Sequence, residues 1–372
     1  MGISGLTLRD FRNYARAELT LGERLTVVVG PNGAGKTNLL EALYFGCTAR
    51  SPRTSNEREL IRRGQSTTRV TVTHEDADGA RHLIEVGFSV GEPKRLRLDG
   101  AALASLTAGI NRPLMSVFLP DRLALVKGPP APRRAHLDHL VAALWPARSG
   151  ARSAYSQALA QRNALLGRVR SGAAPQDALA PWEQTLARRG IELMGSRAEA
   201  AELLAGPFAE QAAALGLRDE ARLRYRPRSA ATEPGTLEAE LRERRGADVE
   251  RGFTAHGPHR DDLRLSHGGE SMRSYGSQGQ QRVTLLALLL GERDLLEREC
   301  GSAPVMLLDD VMSELDGERR ELLAARLTAS GQALLTATGV DHVPIADPDE
   351  VAIVEVGEGV VLDRPEAASA QA

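Results

Sequence analysis

Cysteine is nearly missing: Cys47 and Cys300 are the only two in 372 residues. Two thiols exclude a disulfide framework and a four-cysteine zinc site, and they fit a reducing compartment in which both act as small buried hydrophobes. Lysine is scarce too. All but Lys36, Lys94 and Lys127 of the 47 basic side chains are arginine, a bias that codon usage explains and that carries no function. No apolar run reaches the roughly 18 residues a membrane span needs, and no basic-then-apolar leader opens the sequence. The expectation is a cytoplasmic protein without a membrane partner. Excess charge is also lacking: a net charge of -2 argues against a uniformly basic nucleic-acid binder. The distribution is uneven, since residues 121–170 carry 9 basic and 2 acidic side chains.

What is present begins with GPNGAGKT, the run Gly30, Pro31, Asn32, Gly33, Ala34, Gly35, Lys36 and Thr37, which fits the phosphate-loop pattern G-x-x-x-x-G-K-[ST]. LTVVV before it reads as a buried strand and NLLEALYF after it as a helix, the context a nucleotide site requires. The glycines let successive N–H groups turn toward phosphate oxygens at a helix N-terminus. Lys36 would reach the β- and γ-phosphates, and the Thr37 hydroxyl would ligate Mg2+. FRNY (Phe11–Tyr14) precedes the loop, and Arg12 there is either a contact to the α-phosphate or base, or a solvated loop arginine.

Residues 3–9 and 17–29 read as strands leading into the loop. Two alternating runs around Asp78-Gly79 predict a hairpin, and LRLDG a further strand, so the first hundred residues should hold an antiparallel sheet beside the phosphate-loop sheet. ARSPRTSNERELIRRG (49–64) is either a nucleic-acid-facing patch or a solvated surface. MSVFL is a buried-strand candidate. Asp121 follows that strand, where it would position metal or water, or else cap a helix. From His136 to about Arg251 the apolar spacing is helical, with breaks expected near 172–175 and at Gly206-Pro207. In ARLRYRPRS (221–229) the arginines alternate: on a strand they would form one phosphate-spaced face, or they would guard an exposed edge against aggregation. His256 and His259, in AHGPHRDDL, lack a third ligand at zinc spacing; this cluster reads as turn and cap chemistry or as an interdomain contact.

Three distant segments answer the loop. SYGSQGQQR (274–282) opens a long apolar helix, and its Ser277, Gly279 and Gln280 offer a hydroxyl, bare N–H groups and a positive dipole end. In PVMLLDDVMSELD (304–316) four apolar residues run into two carboxylates: Asp309 would hold Mg2+ and Asp310 would orient the attacking water. Ser313 in SELD should cap the next helix. ALLTATG and a final hairpin (351–364) complete the core, with residues 366–372 a disordered tail.

In this order the four motifs resemble the head of ABC-type ATPases, in which the signature turn of one subunit closes on the nucleotide of another. At finer grain, FRNY, GPNGAGKTNLLEAL, FLPDRLALVKGPPAPRR, GPHRDDL, YGSQGQQR and LLDDVMSELD resemble the RecF family of bacterial recombinational-repair ATPases along nearly the full chain. The resemblance implies an α/β P-loop NTPase of the ABC-ATPase head type, a mixed sheet plus an antiparallel β subdomain, with an inserted α-helical lobe. The expected parts are residues 1–120 and 251–365 for the two halves of the head and 121–250 for the lobe. It also implies ATP and Mg2+ as cofactors, ATP-dependent homodimerisation on double-stranded and gapped DNA, weak hydrolysis, and cooperation with RecR and RecO in loading RecA. Two departures stand out. Asp310 replaces the glutamate most ABC ATPases place after the Walker B aspartate, which predicts slow turnover. Threonines, Thr336 or Thr338, stand where a γ-phosphate-sensing histidine is expected. A nuclease-linked relative would need a further acidic domain, and a transporter subunit would not carry so large a helical insert.

Overall fold

The computed structural model describes residues 2–76, 78–104, 112–345 and 351–362; the expected disordered tail lies outside them. The chain forms two compact units, one of residues 1–122 with 296–372, the other of residues 123–295. The helical unit therefore extends past the boundary expected at 250, and GPHRDDL and SYGSQGQQR pack with the helices.

The first unit is built on two sheets. Strands β1 (Gly2–Phe11) and β2 (Tyr14–Thr20) form a hairpin, and β3 (Leu25–Val29) runs into the phosphate loop and helix α1 (Lys36–Thr48). The single strand expected over 17–29 is two, broken at Gly22, whose Cβ would lie 3.2 Å from the Leu25 carbonyl. Strands β4 (Thr67–Glu75), β5 (Arg81–Ser89), β6 (Arg95–Leu98) and β7 (Ala101–Leu103) join the hairpin in an antiparallel sheet of order β2-β1-β4-β5-β6-β7. The turn between β4 and β5 is held by the Asp76 carboxylate, which accepts from the N–H groups of Asp78 and Ala80 at 2.9 Å. Strand β8 (Met115–Phe118) belongs to the second sheet.

The helical unit follows: α2 (Ala124–Lys127), α3 (Pro130–Leu144), α4 (Ala151–Arg170), the 35-residue α5 (Ala180–Ala214), strand β9 (Ala221–Arg226), α6 (Pro234–Glu243), α7 (Arg245–Arg251), β10 (Asp262–His267), β11 (Glu270–Ser271), α8 (Met272–Tyr275) and α9 (Gln278–Cys300). The break expected at Gly206-Pro207 is absent; α5 continues through Pro207. Tertiary packing outweighs the lost hydrogen bond there: Phe208 and Ala212 are fully buried, and Gly291 of α9 lies so close that a Cβ would sit 2.8 Å from the Phe208 nitrogen. The unit also has an ionic centre. Arg162, wholly buried, donates to Asp248 (2.8 Å), Glu183 (3.1 Å) and Thr254 (2.7 Å). Arg197 holds Asp138 through two bonds of 2.7 and 3.0 Å and donates to the Pro258 carbonyl at 2.8 Å. GPHRDDL is thus a hub within this unit.

The chain closes the first unit with β12 (Val305–Leu308), α10 (Gly317–Ala329), β13 (Ala333–Ala337), β14 (Val351–Gly357) and β15 (Val360–Leu362). The second sheet has the order β15-β14-β3-β13-β12-β8, parallel throughout except for the β14–β15 hairpin. All residues of β3, β12 and β13 are buried, the pattern of a covered parallel sheet. Helix α1 packs against both sheets, burying Leu39, Leu40, Leu43 and Phe45, each worth about 1.5–3 kcal/mol. Gly46 is the price of that closeness, since a Cβ would meet Val72 Cγ2 at 2.5 Å.

Candidate nucleotide site

The parallel order brings the C-terminal ends of β3, β12 and β13 together, and the site residues stand there. Gly35 takes φ 114°, a left-handed backbone, and its missing side chain admits Asn13 Nδ2 and the Tyr14 hydroxyl, at 2.5 and 2.7 Å from where a Cβ would be. Lys36 opens α1 and is buried. Its ammonium donates to the carbonyls of Gly30 (2.7 Å) and Pro31 (3.1 Å), reaching back across the loop.

Thr37 Oγ1 lies 2.9 Å from both carboxylate oxygens of Asp309, across 272 residues of sequence. Thr336 Oγ1, at the end of β13, donates to Asp309 Oδ1 at 2.8 Å and accepts from the Asp310 N–H at 2.9 Å. A hydroxyl and a carboxylate converging beside a phosphate loop are the hard oxygen donors Mg2+ prefers. Two protein ligands leave its remaining positions to water and phosphate oxygens, so the donor set fits. Asp310 has φ 47°, a conformation aspartate tolerates and most residues do not.

Asn13, in the same FRNY tetrapeptide, adds a clasp. Its amide donates to the Ala34 carbonyl at 3.0 Å and its oxygen accepts from Asn38 at 2.8 Å, tying the β1–β2 hairpin tip to the loop. Arg12 is not the solvated loop arginine of the second reading. Its guanidinium sits bidentate on buried Glu41, both bonds 2.8 Å, and approaches Glu59 at 3.7 Å. Arg53 (3.0 Å) and Ser51 (2.6 Å) complete the Glu41 cluster. Burial would raise the Glu41 carboxyl, but the bonds from Arg12 and Ser51 and the charges of Arg12 and Arg53 outweigh it and hold it below the usual range. Position four residues after Thr37, one helical turn on, was the available signal for Glu41.

Asp121 is exposed in a 3-10 turn, Pro120–Leu123, just past β8 and so at the same sheet edge as Asp309. Its carboxylate bonds neither Thr37 nor Asp309, and the N-cap of α2 is Leu123. Ser313 does not cap α10 either: that helix begins at Gly317, and Asp316 accepts from the Arg319 N–H at 2.9 Å. Ser313 instead donates to the Asp310 carbonyl at 2.9 Å. In the other unit, Ser277 and Gln280 form a reciprocal capping box at the start of α9, Ser277 N–H to Gln280 Oε1 at 2.9 Å and Gln280 N–H to Ser277 Oγ at 3.2 Å. The turn is exposed, and Tyr275 beside it is 73% exposed. His256 and His259 go to different partners, Glu240 at 2.6 Å and Tyr155 at 2.7 Å.

The sequence matches the family described as RecF/RecN/SMC N terminal domain over residues 2–356. The chain belongs to the RecF family. It is 39% identical over 362 residues to the DNA replication and repair protein RecF of Streptomyces avermitilis, covering 92% of this chain and 95% of that one. It is 38% identical over 379 residues to the RecF of Myxococcus xanthus, covering 99% and 98%. A solved structure described as the recombination mediator protein RecF with ATP in the RecFOR pathway superposes with a TM-score of 0.86 at 27% identity, over 97% of this chain and 96% of that one. The fold is thus the mixed α/β head of the RecF and SMC ATPases. Among the described residues, no helix is long and apolar enough to cross a membrane.

Proposed function

We propose that the chain is an ATP-dependent DNA-binding switch of recombinational repair and a weak ATPase. ATP and Mg2+ join two copies, the dimer closes on duplex or gapped DNA, and slow hydrolysis at Asp310 lets go. With RecR and RecO as partners, the clamp promotes RecA loading at single-strand gaps. The observation that carries this reading is the contact of Thr37 with both Asp309 oxygens at 2.9 Å. It joins the phosphate loop to the carboxylate that would share its metal. Lys36 across the loop supplies charge for the β- and γ-phosphates, and the loop N–H groups and helix N-terminus supply the rest. The exposed Ser277–Gln280 turn supports a role in trans: its hydroxyl and helix start would face a partner's γ-phosphate, and exposed Tyr275 would lie in the joint.

The test is sedimentation of the full chain with ATP or ADP, each with and without gapped duplex. Dimer is expected with ATP alone, more with DNA, and monomer with ADP. Lys36→Ala and Ser277→Arg should both abolish the ATP-dependent dimer; a dimer that persists in either variant refutes the shared-site reading. Binding of duplex should weaken steeply with salt if arginines meet phosphates.

A further inference from the structure

Strand β9 lies at the edge of the sheet β11-β10-β9. The Gly268 N–H donates to the Glu220 carbonyl at 3.1 Å, which fixes the phase of the β9–β10 ladder: residues 222, 224 and 226 exchange bonds with β10. The N–H and C=O groups of Leu223 and Tyr225 therefore point away from β10, and they have no hydrogen-bond partner among the described residues. Beside them a groove of about 630 Å³ opens against α5, lined by Ile191, Met194, Ala198 and Ala201, with Leu223 and Ala231 opposite. The small alanines are what leave the space.

The other face of β9 is cationic. Arg224 stands directly opposite Arg264 of β10 and both are exposed; Arg222 beside them pairs with Glu220, whose charge also reaches Arg224, and the arginines outnumber that one carboxylate on this face. Like charges facing across a ladder are unfavourable, so this face is suited to an acidic visitor. Edge arginines that only blocked aggregation would need no adjoining cavity.

We propose that the free edge of β9 and its groove bind an extended segment of a partner protein in which aliphatic and acidic residues alternate. Added as a strand, such a segment would bond Leu223 and Tyr225 through its backbone. Its aliphatic side chains would enter the groove and its acidic ones would lie beside Arg224 and Arg226. Glu202, which also lines the groove, turns acidic side chains toward the arginine face.

A fluorescently labelled peptide of alternating aspartate and valine, the six-residue length of β9, titrated into the full chain, tests this by anisotropy. Saturable binding is expected. Methylation of the two peptide nitrogens facing β9 should weaken it by about tenfold or more, because two main-chain bonds are lost. Ala198→Trp, at an exposed groove position, should abolish it, and Arg224→Glu with Arg226→Glu should shift preference to a lysine-valine peptide. Equal affinity for the methylated peptide overturns the proposal without altering the protein. So does failure of the peptide to bind while duplex DNA binding is lost in the glutamate variant, which would give the arginine face to nucleic acid.

Discussion

Thr336→Val tests whether the aspartate pair is held in place by a hydroxyl. The Thr336 side chain is wholly buried, donates to Asp309 Oδ1 at 2.8 Å and accepts the Asp310 N–H at 2.9 Å. A hydrogen bond to a charged carboxylate contributes about 1.5–3 kcal/mol, and a buried amide left without a partner costs about 1–3 kcal/mol. The added methyl recovers about 0.8 kcal/mol. The variant should therefore lose about 2–5 kcal/mol of stability by urea unfolding. The larger consequence is at the metal: with Asp309 free to turn from Thr37, affinity for Mg2+ and nucleotide should fall about 10–100-fold, read with a fluorescent ATP analogue across a Mg2+ titration. Thr336→Ser keeps both bonds and should restore both values. A Thr336→Val protein within about 0.5 kcal/mol of wild type, with unchanged Mg2+ dependence, refutes the reasoning.

Arg162→Met should cost about 3–5 kcal/mol in urea unfolding, because Asp248 is left buried and charged without its cation; adding Asp248→Asn should return part of the loss. His259 is pushed down to about 4 by burial. The unfolded chain then binds the proton more tightly, so stability is full above about pH 6.5, falls as pH drops toward 4, and loses about 3 kcal/mol at most; in His259→Asn the unfolding free energy should slope less over that window. Gly46→Ala should destabilise by about 1–3 kcal/mol, seen as a lowered Tm, since its Cβ would overlap Val72. Asp310→Glu should not hydrolyse ATP faster in a phosphate-release assay: the longer arm is offset by a backbone at φ 47° that glutamate takes less readily than aspartate.

The convergence of the phosphate loop and the aspartate pair at the candidate site was legible because it is written in short-range chemistry. GPNGAGKT between a strand and a helix, and LLDD at a strand end, each specify backbone and side chain together, and the parallel sheet then sets them side by side. Errors arose where tertiary packing overrides local preference. Pro207 stays inside α5 because Phe208 is buried and Gly291 of α9 packs directly against the Pro207–Phe208 backbone. The solvated alternative for Arg12 fails because its partner, Glu41, lies 29 residues on and looks in sequence like an ordinary helical glutamate. Ser313 resembled a cap, yet Asp316 satisfies the helix start three residues later. The serine of the signature turn shows the opposite limit: its residues fit both a capping box and the phosphate contact proposed above, and the capping box is the one the single chain displays.

Asp309 explains why so long an insert is tolerated between the two halves of the site. What the chemistry requires is that β3, β12 and β13 end at one edge, and their pairing is fixed by buried parallel ladders within the first unit. Residues 123–295 form a separate compact unit, so their length and internal ionic network do not enter that register. A loop-closure cost that grows only about 0.6 kcal/mol per doubling of length is small against the burial of three strands with every residue buried and nearly all apolar. Variation inside the helical unit, including the β9 edge and its groove, can therefore change which partners the protein meets while Thr37, Asp309 and Thr336 keep their distances.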